Sequence, residues 1–249
     1  SDSIDLDDWM KIYCEARYGG YPDAMKEAWK LFRKTAYSSL YSYPRFTWQT
    51  VIPDQRRISK IDLSDDYLQA IRLYASCADE LKNSELYRND LIEFVSYYVA
   101  AKAENFYKQA LKDDSENRVL AAQRNLQQTV DLLMDVDRLL ASHPLYRLEE
   151  WVELARNSGT TLQEKDAYEA NAKRLITSWG GIQEDYAARF WSGLIKDYYI
   201  PRIQLYFTKD RNKIREWEEQ WITSPWSNST TPFDDPVKAA LNLIEKTNK

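Results

Sequence analysis

Apolar residues recur at three- and four-residue spacing along most of the chain, the pattern of helices that bury one face. Leu86, Leu91, Phe94, Val95, Tyr98, Val99, Phe106 and Leu111 form one stripe. Val119, Leu126, Val130, Leu133, Val136, Leu139 and Leu140 form another. Each predicts a helix of about 25 residues, longer than the usual ~10–14, and two such helices point to a bundle. Leu148, Trp151, Val152, Leu154 and Ala155 predict a shorter inward face over residues 146–157, with Ser158-Gly159 as its stop. Thr161-Leu162-Gln163-Glu164 is a capping-box pattern opening a helix to about Thr177. Asp185 can cap the next helix, whose apolar face includes Phe190, Leu194, Ile195 and Tyr198. Pro201 falls inside that pattern. It lacks an N–H and clashes with the preceding turn, so a kink or break is expected there.

Upstream, residues 6–18 and 23–39 read as a helical hairpin joined by Gly19-Gly20-Tyr21-Pro22, with Pro22 at the entry of the second helix. Residues 41–62 carry no helical period and read as an extended segment. Ser64 or Asp65 then caps a helix to about Lys82. Near the end, SPWSNSTTPFDDP reads as a loop, and Asp235-Pro236 opens a last helix. Asn228-Ser229-Thr230 matches a glycosylation triplet, which arises often by chance and reads as loop composition. The fold class is therefore all-α, a bundle-like domain of about ten helices with an extended non-helical segment near 41–62.

Composition narrows the chemistry. Glycine is 6 of 249 residues, too sparse for a turn-rich β fold. No run approaches the ~18 apolar residues of a membrane helix. The start, SDSIDLDDWM, has no signal-peptide pattern and no initiator Met, as expected of a processed chain or a piece of a longer one. A net charge of −5 argues against a dedicated nucleic-acid binder, which needs a basic face. The two cysteines, Cys14 and Cys77, can pair or sit as small buried hydrophobes. His143, the single histidine, stands before Pro144 in a helix-end turn. It has no nucleophile motif beside it, and one histidine rules out a multi-His metal site.

Among the carboxylates, Asp131 and Asp135 share a helix face with Asp137 close by. A magnesium–diphosphate site would need adjacent aspartates and a second acidic cluster opposite, so DLLMDVD reads as a solvated helix face. No Glu-x-x-His, phosphate loop or Gly-x-Ser-x-Gly elbow occurs. The aromatic residues, 9 Trp, 18 Tyr and 7 Phe, are mostly core at helical spacing. Trp179 differs. It stands where one helix stops and Gly180-Gly181 turns the chain. An indole at a loop edge is either a platform for a sugar ring or a plug between helices.

Six stretches carry a family resemblance: WMKIYCEARYGG, PDAMKEAWKLFRKTAYSS, LYRNDLIEFVSYYV, LLMDVDRLLASHPLYRLEEWVELAR, EKDAYEANAKRLITSWGGIQEDYA and LIKDYYIPRIQLYF. In this order they resemble the C-terminal all-helical domain of the α-N-acetylglucosaminidases. That glycoside hydrolase family includes a lysosomal heparan-sulfate enzyme and bacterial secreted relatives. The resemblance spans all but the last thirty or so residues. It implies a retaining, exo-acting parent that removes terminal α-linked N-acetylglucosamine, with two catalytic glutamates on a (β/α)-barrel absent from this chain. By that match no catalytic residue, metal ligand or cofactor belongs to the present sequence. Residues 1–40 would be a helical hairpin at the junction with the barrel, and 41–249 the C-terminal domain, forming one structural unit with it. The partners implied are the barrel and a glycan ending in α-N-acetylglucosamine, with no nucleic acid and no membrane. The resemblance makes Trp179 a ring-stacking residue, with Tyr186 and Gln183 beside it on one wall of the pocket. The turn WGGIQEDYA is shorter than in some relatives, so Gln183 carries over least well. Arg17, Tyr18 and Arg202 match recurring positions and read as interdomain or structural residues. The alternative is a stand-alone helical module that binds carbohydrate or protein. An apolar patch exposed on residues 1–60 would favour the first reading.

Overall fold

The computed structural model describes residues 3–37, 46–50, 64–179, 188–208, 210–227 and 229–247, and these are helical with no strand among them. The helices are α1 (Leu6–Tyr18), α2 (Asp23–Lys34), α3 (Asp65–Ser76), α4 (Ala78–Leu81), α5 (Glu85–Ser115), α6 (Val119–Leu140), α7 (Leu148–Asn157), α8 (Leu162–Leu175), α9 (Ile200–Tyr206), α10 (Arg211–Thr223) and α11 (Pro236–Lys246). The all-α expectation holds. Of the segment near 41–62, only residues 46–50 are described, and Thr47–Gln49 forms a single 3-10 turn.

Local chemistry explains where the helices start and stop. The Asp5 carboxylate accepts from the amides of Asp7 and Asp8 at the head of α1, and Gly19 ends it at φ +83°. That left-handed backbone suits glycine. Ser64 caps α3, and Asp235 caps α11 with Pro236 in its first turn. At α8 the Thr161 hydroxyl accepts from the Glu164 amide, while the Glu164 carboxylate accepts from the Thr161 amide. Bonds from the Thr160 hydroxyl, then from the Thr161 and Thr160 amides, hold the Glu164 carboxyl down to about 2. The predicted helix to Lys82 is interrupted at Cys77, and α2 ends five residues earlier than expected.

The chain forms two compact units. The first takes in the described parts of residues 1–44, 59–101 and 234–249. Its core is aromatic. Tyr74 stacks on Tyr87 at 4.9 Å, Phe32 lies 4.6 Å from Phe94, and Tyr18 meets the edge of Tyr74. Met10 and Cys14 of α1, Met25 and Trp29 of α2, Ile71 of α3 and Leu243 of α11 are also buried in this unit. Leu86 is exposed, against expectation. The inward face of α5 runs instead through Tyr87, Leu91 and Val95.

The second unit takes in the described parts of residues 45–58 and 102–233. Here α7 packs on α8, and α10 packs on both α8 and α9. Phe106, Val119 and Leu154 of the predicted faces are exposed, whereas Leu133, Val136, Leu139, Leu140, Leu148 and Val152 are buried. Phe106 gives way to its neighbour Tyr107, which is buried against Phe207. Val119 stands at the first position of α6, before the helix meets its partners. A parallel bridge between Arg147 and Ser192 ties the entry of α7 to the segment before Leu194.

The helix predicted from Asp185 opens at Leu194. Ala188–Gly193 is irregular, and Asp185 lies outside the described residues. The disturbance expected at Pro201 takes the form of a π turn over Ile195–Tyr199, closed by the Ile200 amide donating to the Ile195 carbonyl. The wider turn precedes a proline that has no N–H to give, and the chain resumes as α9 without leaving the helical path.

Candidate functional site

Trp179 follows α8 by four residues, and the chain beneath it is held firmly. Its amide donates to the Arg174 carbonyl at 3.0 Å, and the Thr177 hydroxyl donates to the Lys173 carbonyl at 2.7 Å. Ile176 and Thr177 are buried. Lys173, fully buried, donates to the carbonyls of Trp221 and Ser224 at the end of α10, where a cation complements the helix dipole. Burial pulls the Lys173 amine below its usual value against the pull of Glu169. Arg174 makes a two-pronged ion pair with Glu219 of α10. On this clamped base the Trp179 side chain stays 47% exposed. Gln183 and Tyr186 lie outside the described residues, so Trp179 alone represents the predicted pocket wall.

Arg17 and Tyr18 converge on one carboxylate in the first unit. Arg17 donates to both oxygens of Asp90, at 2.7 and 2.6 Å, and the Tyr18 hydroxyl donates to one of them at 2.6 Å. The pair pins α1 to α5. Desolvation and then the Asp90 charge drive the Tyr18 hydroxyl far above its ordinary range, so it keeps its proton and donates it to Asp90. Cys14 nearby is pushed up to about 12, first by burial and then by Asp90. Cys14 and Cys77 are free thiols, both buried.

Arg202 lies in the second unit with its side chain 2% exposed, beside Glu218 at 3%. It donates to Glu218 at 3.0 Å and to the Gln49 carbonyl at 2.7 Å, while the Tyr198 hydroxyl also donates to Glu218. Glu104 accepts from the Thr47 amide at 2.8 Å and from its hydroxyl. Residues 46–50 are thus stitched down by two buried charges. Arg17, Tyr18 and Arg202 each sit in an internal structural network of their own unit.

The acidic face read in α6 divides. Asp131 is exposed and accepts from Gln127, but Asp137 is fully buried. Asp137 accepts from the amides of Gly193 and Lys196, at 2.8 and 3.0 Å, and from the hydroxyls of Ser192 and Thr230. It caps, from another helix, the helical run opening at Leu194. Spacing alone gave no signal of this, because its partners are 55 or more residues away. No three His, Cys, Asp or Glu gather as a metal-holding group among the described residues. His143 is buried in its turn, its Nδ1 accepting from the Leu145 amide.

In the first unit Ile4, just before α1, and Leu6, Trp9 and Ile12 of α1 are exposed.

The family model described as the alpha-N-acetylglucosaminidase (NAGLU) C-terminal domain matches residues 9–246. The chain belongs to this family. Human alpha-N-acetylglucosaminidase is similar to it, 29% identical over 274 residues that take in 97% of the chain and 36% of that protein. The fold agrees with solved structures of a family 89 glycoside hydrolase from Clostridium perfringens. Its complex with PUGNAc superposes with a TM-score of 0.84 at 22% identity, covering 98% of this chain and 32% of the other. A complex with its substrate GlcNAc-alpha-1,4-galactose gives 0.83 at 22% identity, with the same coverage. The chain therefore spans about a third of the length of these relatives.

Proposed function

We propose that this NAGLU C-terminal domain completes an exo-acting α-N-acetylglucosaminidase that releases terminal α-linked N-acetylglucosamine from glycans with retention of configuration. The catalytic carboxylates belong to a barrel domain outside this chain. Retention requires two such groups roughly 5–5.5 Å apart. The chain supplies one wall of the substrate pocket through Trp179, with Tyr186 and Gln183 beside it, and supports the barrel.

The observation that carries this reading is the half-exposed Trp179 on a backbone anchored by Lys173, Arg174 and Thr177. An indole exposed on a rigid base can stack on a sugar without losing much conformational freedom on binding. The role of residues 1–40 as the junction with the barrel draws support from the exposed Ile4, Leu6, Trp9 and Ile12. Trp9 stacks on Tyr13 at 5.3 Å, which stiffens that apolar face for docking. Arg17 and Tyr18 contribute indirectly by fixing α1 to α5, and Arg202 by fixing residues 46–50.

The test is hydrolysis of a chromogenic α-N-acetylglucosaminide. The 249-residue chain should give no turnover, and the full-length parent should turn it over. Turnover by the chain alone, abolished by changing one of its own glutamates, would overturn the assignment of the chemistry to a separate barrel.

A further inference from the structure

A groove of about 620 Å³ opens in the second unit, walled by α7, the first turns of α8 and the segment after α10. Glu153, Asn157, Lys165, Trp226, Ser227 and Ser229 line it. Its volume falls within the roughly 300–1,000 Å³ typical of small-molecule sites.

The segment forming one wall is held by an unusual number of charged anchors. Buried Lys173 donates to the Ser224 carbonyl, and buried Glu169 accepts from the Trp226 amide. Asp197 accepts from the Trp226 indole N–H at 2.9 Å. Asp137 accepts from the Thr230 hydroxyl at 2.6 Å. Taking a charge out of water costs several kcal/mol unless partners compensate. A segment that merely joined α10 to α11 would not need four such anchors along seven residues. They make sense as preorganisation of a binding wall.

The lining left over is chemically specific. The side chains of Glu153, Asn157, Lys165, Ser227 and Ser229 make no hydrogen bond or ion pair among the described residues. They supply an acceptor, donors and groups that do both. Glu153 and Lys165 cancel in charge, which disfavours a strongly charged ligand. Trp226, half-buried and fixed through its N–H, adds apolar surface.

We propose that this groove binds a neutral, hydroxyl-rich ligand, the chain of an oligosaccharide. A glycan presents alternating donors, acceptors and C–H faces of the kind this lining matches. The inference goes beyond the pocket-wall role given to Trp179 and stands without it.

The test is titration of the 249-residue chain with a panel of neutral oligosaccharides, GlcNAc-alpha-1,4-galactose among them, followed by calorimetry and saturation-transfer NMR. A sulfated oligosaccharide serves as the charged comparison. Ser229→Trp fills the groove, and Asn157→Ala removes one polar contact at an exposed helix end. The proposal expects saturable binding of a neutral saccharide, weakened at least about tenfold by Ser229→Trp and measurably by Asn157→Ala, at unchanged melting temperature. Binding should persist in Trp179→Ala. The absence of saccharide binding would overturn it. So would preference for the sulfated ligand, or binding lost in Trp179→Ala yet kept in both groove variants. Should Ser229→Trp unfold, Asn157→Ala with a second exposed change, Lys165→Ala, decides by the same criteria.

Discussion

Replacing Asp137 with alanine strips the acceptor from two backbone amides at the head of a helical run. Those amides, of Gly193 and Lys196, lie 2.8 and 3.0 Å from one carboxylate oxygen. Each buried donor left without a partner costs about 1–3 kcal/mol. The hydroxyls of Ser192 and Thr230 can rotate to other acceptors, and removing a buried carboxylate recovers part of its desolvation cost. The net expectation is a loss of about 3 kcal/mol, or roughly 6–12 °C in melting temperature for a chain of this size. Asp137→Asn should behave differently. Its amide oxygen can still accept from both backbone amides, and its NH2 can donate to the two hydroxyls. All four bonds survive without a buried charge, so stability at neutral pH should stay within about 1 kcal/mol of the parent.

The pH dependence separates the two further. Burial holds the Asp137 carboxyl above its usual 3.8, against the pull of Thr230 and the two amides. As pH rises from 3.8 the unfolded chain loses that proton first. The folded state then binds more protons, so this group's contribution to stability falls with rising pH and levels off once both states are ionised. Asp137→Asn lacks that slope, and its stability relative to the parent should improve as pH climbs through that window. Thermal unfolding followed by circular dichroism across that range measures both effects. An alanine variant within about 0.5 kcal/mol of the parent, or an asparagine variant as unstable as the alanine one, would refute the cap.

Two further outcomes follow from buried charge and buried sulfur. Arg202→Ala leaves the buried Glu218 charge with the Tyr198 hydroxyl and the half-exposed Arg215 as partners, and should cost about 3–5 kcal/mol, while Arg202→Met with Glu218→Leu should recover most of that loss in denaturant titrations. Burial raises Cys14 to about 12 and Cys77 to about 11, so neither thiol should react with a disulfide reagent at neutral pH until the chain is denatured, when both should be counted.

Helix ends were readable from the sequence because they are local. Ser64, Thr161 and Asp235 cap through bonds spanning three residues, and Gly19 relies only on its own missing side chain. The centre of α5 was less readable. Tyr98–Ala101 are four successive buried residues, so no single stripe marks the inward face, and Leu86 and Phe106 were assigned to the wrong side. The helix α10 has Trp217, Trp221 and Ile222 on its inward side amid a largely charged sequence, too weak a period to stand out. Buried charge was the least legible feature. Glu169 and Lys173, four apart on α8, have the spacing of an exposed ion pair, yet both are inside. The other partners of Lys173, the carbonyls at the end of α10, lie about fifty residues on. The position of Trp179 at a helix stop was visible in the sequence, whereas its clamped backbone and half-exposed indole needed the packing of α8 on α10.

We propose above that Trp179 forms substrate-pocket wall in a full-length α-N-acetylglucosaminidase. Stacking that covers roughly 80 Å² of ring at about 25 cal/mol per Å² is worth about 2 kcal/mol. Trp179→Ala in the full-length parent should therefore lower kcat/KM by about 30-fold, with the melting temperature nearly unchanged. Unchanged kcat/KM, or a melting temperature that falls in step with activity, would contradict it.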